Sequence, residues 1–429
     1  MPEPVSERVF IPSRGYDLKM IIKDLDYSSD LISVRIISSL STAYQNIFIT
    51  IFIDPNDIIL DDVFGKEPIK LTVTLLGQDE IPGDSIDFEL MYLTSKFMAI
   101  EKTELSEEIQ KDRVPLEITT VCGEPFKTMS TYVNKIYSDT TIEDVINGLV
   151  SETDATVKID SDGINSESID QVCIPPSTLY KIIKEYNSES IDPFDGFLDQ
   201  RFGLFDGIPG IFCQHDNVIY IKNLTEKMKK AQAFTVYQLS QSGEDKEIIE
   251  KSIDGENFYT YANLSFHYSG NAKFAVISPT IKHIVKPKDA LYSTIEQNLS
   301  DICSNYGLID GDDKMDIDPK ISSSKRITYH IQDTGNESVE TQFNSRISRM
   351  VSDLNSVSLN LERNLPILNL MEVGECVKLN TQITEYIDLA GKYILWSSDL
   401  NFGRHGGGEF QATATINLVR TNKKIGQKD

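Results

Sequence analysis

Cysteine is scarce and unpaired. The five residues, Cys122, Cys173, Cys213, Cys303 and Cys376, are odd in number, and no two have C-x-x-C spacing. A disulfide framework is not expected from this, and reduced thiols in a reducing cytosol are. Long apolar runs are missing too. The longest, Ile47 to Ile53, is interrupted by Thr50 and falls far short of the roughly 18 residues of a membrane span. Its β-branched content predicts a buried strand. Met1 to Arg14 has no apolar core, so no secretory signal is expected.

Positive charge is the third shortage. Lys and Arg number 41 against 66 acidic residues, a net charge of −25. The densest basic cluster is Lys227-Met228-Lys229-Lys230, too little to grip a nucleic acid, which needs clustered cations. An acidic wall past which nucleic acid slides is compatible with this charge. So is the plainer reading that acidity keeps the chain soluble.

Catalytic signatures are also lacking. No phosphate-binding glycine motif, H-E-x-x-H or G-x-S-x-G occurs. The histidines, His215, His267, His283, His330 and His405, are far apart. The acidic run Asp310, Asp312, Asp313, Asp316, Asp318 fails the calcium-loop pattern, with Lys314 and Met315 where an oxygen ligand and a glycine belong. Gly406 to Gly408 lies between two strand-like segments and reads as a hairpin loop. No catalytic residue, metal ligand or cofactor is therefore assigned.

What is present is a strongly patterned middle. Ser177 reads as the N-cap of a helix with Leu179, Ile182, Ile183 and Tyr186 on one face. An aromatic loop with Phe194, Phe197, Phe202 and Phe205 follows, then a hairpin in which Ile211 to Cys213 and Val218 to Ile221 flank His215-Asp216-Asn217. The four phenylalanines read as core filling, with a subunit or partner contact as the functional alternative. Upstream, Thr140 and Glu143 suggest a capping box before Ile142, Val145, Ile146 and Leu149.

On either side the chain reads as β. Strands are predicted at 30–37, 46–54, 70–76, 88–95 and 114–122, spaced as in a sandwich or barrel. Further strands fall at 231–239, 258–267, 272–277, 324–332 and 357–361, with a closing hairpin of 392–401 and 409–418. Residues 240–254 and 307–320 read as polar and mobile. Phe343, Ile347, Met350, Val351 and Leu354 give a helix at 339–354.

This layout resembles the baseplate central hub proteins of contractile-tailed bacteriophages, relatives of the N-terminal part of type VI secretion spike proteins. The resemblance rests on Phe64-Gly65 with Ile69-Lys70-Leu71, on Leu179-Tyr180 through Phe202-Gly203-Leu204-Phe205 to Val218–Leu224, and on the end of the chain. There Phe343 and Arg346 lead to Val357–Leu361, Val373-Gly374-Glu375-Cys376-Val377 and Leu418-Val419-Arg420.

It implies an α+β, mainly β chain: two tail-tube-like antiparallel β-barrels, an α/β insert and a smaller accessory region. The expected divisions are 1–120 for the first barrel, with 225–240 as its candidate completing segment, and 121–224 for the insert. The second barrel is 225–429, with a polar insertion around 280–322. The implied role is structural, not enzymatic. A homotrimeric ring would adapt a trimeric spike to a hexameric tail tube or tube initiator, with tape-measure and wedge proteins as further partners. DNA would pass through unbound, with no membrane insertion, in a virion assembled in the host cytoplasm. The alternatives are a glycan hydrolase on a β scaffold, or a cell-surface-binding adhesin.

Overall fold

The computed structural model describes residues 15–54, 67–76, 82–98, 113–185, 196–230, 233–237, 249–253, 256–268, 280–285, 293–308, 348, 355–362, 372–380, 391–404 and 409–420. The first part holds β1 (Tyr16–Ile22), β2 (Leu25–Asp26), β3 (Leu31–Ser39), β4 (Asn46–Ile53), β5 (Ile69–Leu76), β6 (Pro82–Phe97) and β7 (Val114–Cys122). The middle holds α1 (Gly123–Ser130), β8 (Tyr132–Val133), β9 (Ile136–Thr140), α2 (Ile142–Val150), β10 (Thr156–Ile159), β11 (Ile169–Cys173) and β12 (Ser177–Thr178). It continues through α3 (Leu179–Ile183), α4 (Phe197–Phe202), β13 (Pro209–Cys213), β14 (Val218–Asn223) and α5 (Leu224–Lys229). The last part holds β15 (Phe234–Tyr237), β16 (Ile249–Ile253), β17 (Glu256–Tyr268), β18 (Thr280–Val285), β19 (Ser293–Asn298), α6 (Leu299–Tyr306), β20 (Asn355–Glu362), β21 (Cys376–Asn380), β22 (Gly391–Arg404) and β23 (Phe410–Val419).

Strand formation follows the period-2 pattern. In β4, Ile47, Ile49, Ile51 and Ile53 point inward while Asn46, Phe48, Thr50 and Phe52 point away. β23 does the same with Phe410, Ala412, Ala414, Ile416 and Leu418 inside. β1, an addition to the strands expected from the sequence, alternates equally well, with Tyr16, Leu18, Met20 and Ile22 buried. These side chains meet in one core drawn from both ends of the chain; Tyr16 packs edge-on against Phe402 with ring centres 5.2 Å apart.

Pairing makes two hydrogen-bonded circuits that share one hairpin. The first runs β1–β5–β6–β7–β4–β3–β22–β23 and returns to β1 at Tyr16↔Phe410. The second runs β22–β21–β15–β16–β17–β20–β23 and closes through the same β22·β23 hairpin. All the links are antiparallel except β15·β21. The segment expected to complete the first barrel, 225–240, does not do so: β15 pairs with β16 and β21 in the second circuit. The C-terminal hairpin completes the first barrel instead, because β3 uses its free edge on β22 over Ser33–Ser39. Residues 249–253, expected to be polar and mobile, form β16 on β17.

Between the circuits sits an α/β unit. Its three-stranded sheet has the order β10–β14–β13, with β10 parallel to β14. Val145, Ile146 and Leu149 of α2 meet Ile182 and Ile183 of α3 and Leu198 of α4 in its core. Gly196 is needed for this contact, since a Cβ there would lie 2.2 Å from the Ile183 carbonyl carbon. Both predicted helix caps move by one residue. Thr141, not Thr140, caps α2, its hydroxyl accepting from the Asp144 N–H at 3.2 Å. Thr178, not Ser177, caps α3. α1, with Pro125 in its first turn, is an addition to the expected elements.

Several expected elements lie outside the described residues: the strands at 272–277 and 324–332, the helix at 339–354 apart from helical Ser348, the glycines 406–408, and Tyr186.

Candidate functional site

Eight strands of the two circuits form one continuous antiparallel run, β6–β7–β4–β3–β22–β23–β20–β17. It divides into two four-stranded units, β6–β7–β4–β3 and β22–β23–β20–β17, joined by seven residue pairs between β3 and β22. Its two ends stop differently from its middle. β6 pairs with β5 only from Pro82 to Leu90, and from Met91 to Phe97 it pairs with β7 alone. β17 pairs with β16 only up to Thr260, and from Tyr261 to Tyr268 it pairs with β20 alone. Among the described strands each of these two stretches has a single neighbour. Phe97 and Met98, 55% and 42% exposed, stand at the end of the β6 edge.

One face of this run carries the shared core. The other carries small uncharged polar groups, among them Ser33, Thr50, Thr119, Thr94, Ser397, Asn401, Thr413, Thr415, Asn417, Ser358 and Asn360, interspersed with the apolar Ile37, Phe48, Phe52 and Met91. These side chains bond across strands, Thr415 to Asn360 at 2.8 Å and Asn417 to Ser397 at 2.8 Å. In β17 the backbone register sets Asn263 opposite Asn360 and Ser265 opposite Ser358.

Of the charged side chains described on this face, Asp87 and Glu89 of β6 are exposed, and four others pair with one another. Lys96 meets Glu117 at 2.6 Å. Arg35 grips Asp399 through Nε at 2.8 Å and a terminal nitrogen at 2.5 Å, across the β3·β22 joint, and lies 5.8 Å from the centre of the Phe48 ring. Asp399 raises the affinity of the Arg35 guanidinium for its proton, mainly through that hydrogen bond.

The α/β unit is fastened at the end of this face. Trp396 of β22 donates from Nε1 to the Ser41 hydroxyl at 3.0 Å, and the Leu40 N–H bonds the Trp396 carbonyl at 2.9 Å. Leu40 and Trp396 pack with Leu224 and Met228 of α5 and with Val373 and Cys376. The Lys184 ammonium, buried behind α3, donates to the Leu40 carbonyl. Lys222 of β14 donates to the Val373 carbonyl at 3.1 Å and to the Glu375 carboxylate at 2.6 Å, and Lys227 of α5 adds a 3.4 Å contact. Burial would raise the Glu375 carboxyl, but the two lysines outweigh it and hold the group below the ordinary carboxylate range. Gly374, at φ +84°, makes the turn that presents Glu375; a Cβ there would sit 3.1 Å from Lys222 Cδ.

Of the phenylalanines singled out in the sequence, Phe197, Phe202 and Phe205 are 7%, 9% and 3% exposed and fill the core of the α/β unit, the first two edge to face at 6.4 Å. Phe194 lies outside the described residues. His215 sits against Phe88 with ring centres 5.1 Å apart, and burial pushes its proton affinity down. His330 and His405 are outside the described residues, as are Asp310 to Asp318. Among the described residues no group of three or more His, Cys, Asp or Glu is arranged to hold a metal, and no helix is long and apolar enough to cross a membrane. Sequence reasoning missed the eight-stranded run, since its defining joints link residues more than 350 positions apart.

These features define two β circuits with a shared hairpin and an α/β insert. No family model matches the chain, and no curated protein matches it in sequence. Among solved structures it is similar to the 43 kDa tail protein of prophage MuSo2 from Shewanella oneidensis: TM-score 0.56, 12% identity, 95% of this chain and 98% of that one. It is also similar to the tail protein of Neisseria meningitidis MC58: TM-score 0.55, 9% identity, 96% and 98%. The chain has the mainly β, α+β fold of these tail proteins over nearly its whole length.

Proposed function

We propose that the chain is the central hub of a phage tail baseplate, a structural ring without catalytic activity. The observation that supports this reading is the eight-stranded run, whose terminal strands β6 and β17 each have one described neighbour over Met91–Phe97 and Tyr261–Tyr268. Its strands alternate in direction and are even in number, so β6 and β17 run opposite ways. The β17 edge of one copy can therefore join the β6 edge of the next in the antiparallel sense already used at β3·β22. Such a head-to-tail contact closes into a ring and covers edges that would otherwise invite aggregation. Three copies of the eight strands give 24 strands in six four-stranded units, which suits a threefold spike on one side and a sixfold tube on the other.

Spike, tube, tape-measure and wedge proteins are the partners of this role, and the virion tail is its place. DNA would pass through the centre without being held. The test is a cross-link between copies. In a Cys173→Ser background, Thr94→Cys on β6 and Asn263→Cys or Ser265→Cys on β17 are combined and treated with a short dithiol cross-linker. The account expects covalent trimers from a double variant and none from the single ones. Double variants that stay monomeric at every cross-linker concentration would refute it.

A further inference from the structure

We infer that the tip of the β13·β14 hairpin is an acid-sensitive joint between the α/β insert and the first β circuit, closed while the His215 imidazole is neutral and released when the ring takes a second proton. The joint lies within one chain and does not depend on how copies assemble. Its tip is a tight turn. The Asn217 N–H bonds the Gln214 carbonyl and the Gln214 N–H the Val218 carbonyl, each at 3.0 Å, with Asn217 at φ +60°. Two contacts seat the hairpin on the first circuit. The Cys213 N–H donates to the Ala43 carbonyl, between β3 and β4, at 2.7 Å. The His215 ring lies against Phe88 of β6, a member of the shared barrel core, with ring centres 5.1 Å apart. Asn217 Oδ1 steadies the turn by accepting from the Thr128 hydroxyl of α1 at 2.9 Å.

This seat suits a neutral ring. His215 Nδ1 is shielded from solvent and has no hydrogen-bond partner among the described residues. A neutral imidazole can leave that nitrogen as a bare acceptor. An imidazolium must put an N–H there and a full charge beside an apolar ring, which costs far more. The neighbouring acids are engaged elsewhere. Asp216 Oδ1 accepts from the Val218 N–H at 3.3 Å, and Asp87 Oδ1 from the Thr72 hydroxyl at 2.6 Å. Glu89 of β6 is exposed, and Glu124 and Lys127 of α1 pair with each other at 2.5 Å. Burial accordingly lowers the proton affinity of the ring, against the pull of Asp216 and Asp87. The contribution of the seated ring is complete above the ordinary imidazole value of 6.5. It weakens as pH falls from there toward the lower value of the seated ring.

The test uses the full chain, whose own thiols report on the joint. Cys213, two residues from His215, and Cys303 of α6 are both fully buried. Labelling with a dithiodipyridine, which reacts with thiols in acid as well as at neutral pH, is followed by peptide mass spectrometry from about pH 8 to about pH 5, the range in which imidazole titrates. Labelling of Cys213 relative to Cys303 should rise by up to about tenfold for each pH unit by which the seated ring is lowered. It should stay flat in His215→Phe, which keeps an aromatic ring beside Phe88 without the titrating nitrogen. Deuterium exchange at the C2 carbon of His215, read in the native chain alone, should give a midpoint below 6.5. A flat Cys213 profile in the native chain would overturn the joint, as would an acid rise that persists in His215→Phe. Where that variant does not fold, the C2 profile still decides, since a midpoint at or above 6.5 would mean that the seat does not disfavour the charged ring.

Discussion

Replacing Glu375 by Ala should loosen the α/β insert from the shared hairpin. Lys222 is 9% exposed at its side chain and Glu375 22%. Removing one partner of a fully buried pair costs about 3–5 kcal/mol, because the other charge is stranded; an exposed pair contributes about 0–1 kcal/mol. Here Lys222 keeps its bond to the Val373 carbonyl, and some water can reach the gap. We therefore expect a loss of about 2–3 kcal/mol. The reporter is built in: Trp396 is the sole tryptophan, 8% exposed, packed with Val373, Leu224 and Met228. With a urea slope of about 1–3 kcal/mol/M, its fluorescence transition should move down by about 1 M at pH 7. The sign with pH follows from the depressed carboxyl. Its contribution is complete above the ordinary value of 4.5 and is lost as pH falls through the lower folded-state value. The gap between the native chain and Glu375→Ala should close in acid. A shift under about 0.2 M at neutral pH would refute the reasoning, since it would make the pair no better than an exposed one.

The other expectations are simpler. Thr141→Ala should cost about 0.5–2 kcal/mol by uncapping α2, read by urea unfolding. Leu149→Ala, at a fully buried site of the insert core, should cost about 2–5 kcal/mol and shift the same transition more than any surface change. Gly374→Ala forces a side chain into φ +84° against Lys222 and should destabilise by about 1–3 kcal/mol, with Trp396 emission shifted to the red. Arg35→Ala, half exposed, should cost under about 1 kcal/mol, and a larger loss would mean the β3·β22 joint depends on this pair.

Local pattern made much of this fold legible. The alternation in β4 and β7, the apolar stripe of α2 and the β13·β14 hairpin around His215-Asp216-Asn217 can all be read directly, because each signal lies within a dozen residues. Tyr16 to Ile22 carried an equally clear alternation that went unread. Threonines at 140 and 141 offer the same hydroxyl, so the cap could only be placed by geometry. β16 is made of Ile249-Glu250-Lys251-Ser252-Ile253, too polar to declare itself without β17 beside it. The phenylalanine-rich loop reads as either filling or contact, and only packing against α3 shows Phe197 inside. The candidate site was hidden for a stronger reason. Its central joint ties Ser33 to Gly403, and one sequence contains no trace of which distant strands share an edge.

The central claim is that copies of this chain close head to tail through β6 and β17. Its most direct test is the solution mass by light scattering, followed by imaging, of the chain alone and co-expressed with a trimeric spike protein. The account predicts a particle of three times the 48.3 kDa chain mass with a hole at its centre. A compact particle of one chain mass under both conditions would contradict it.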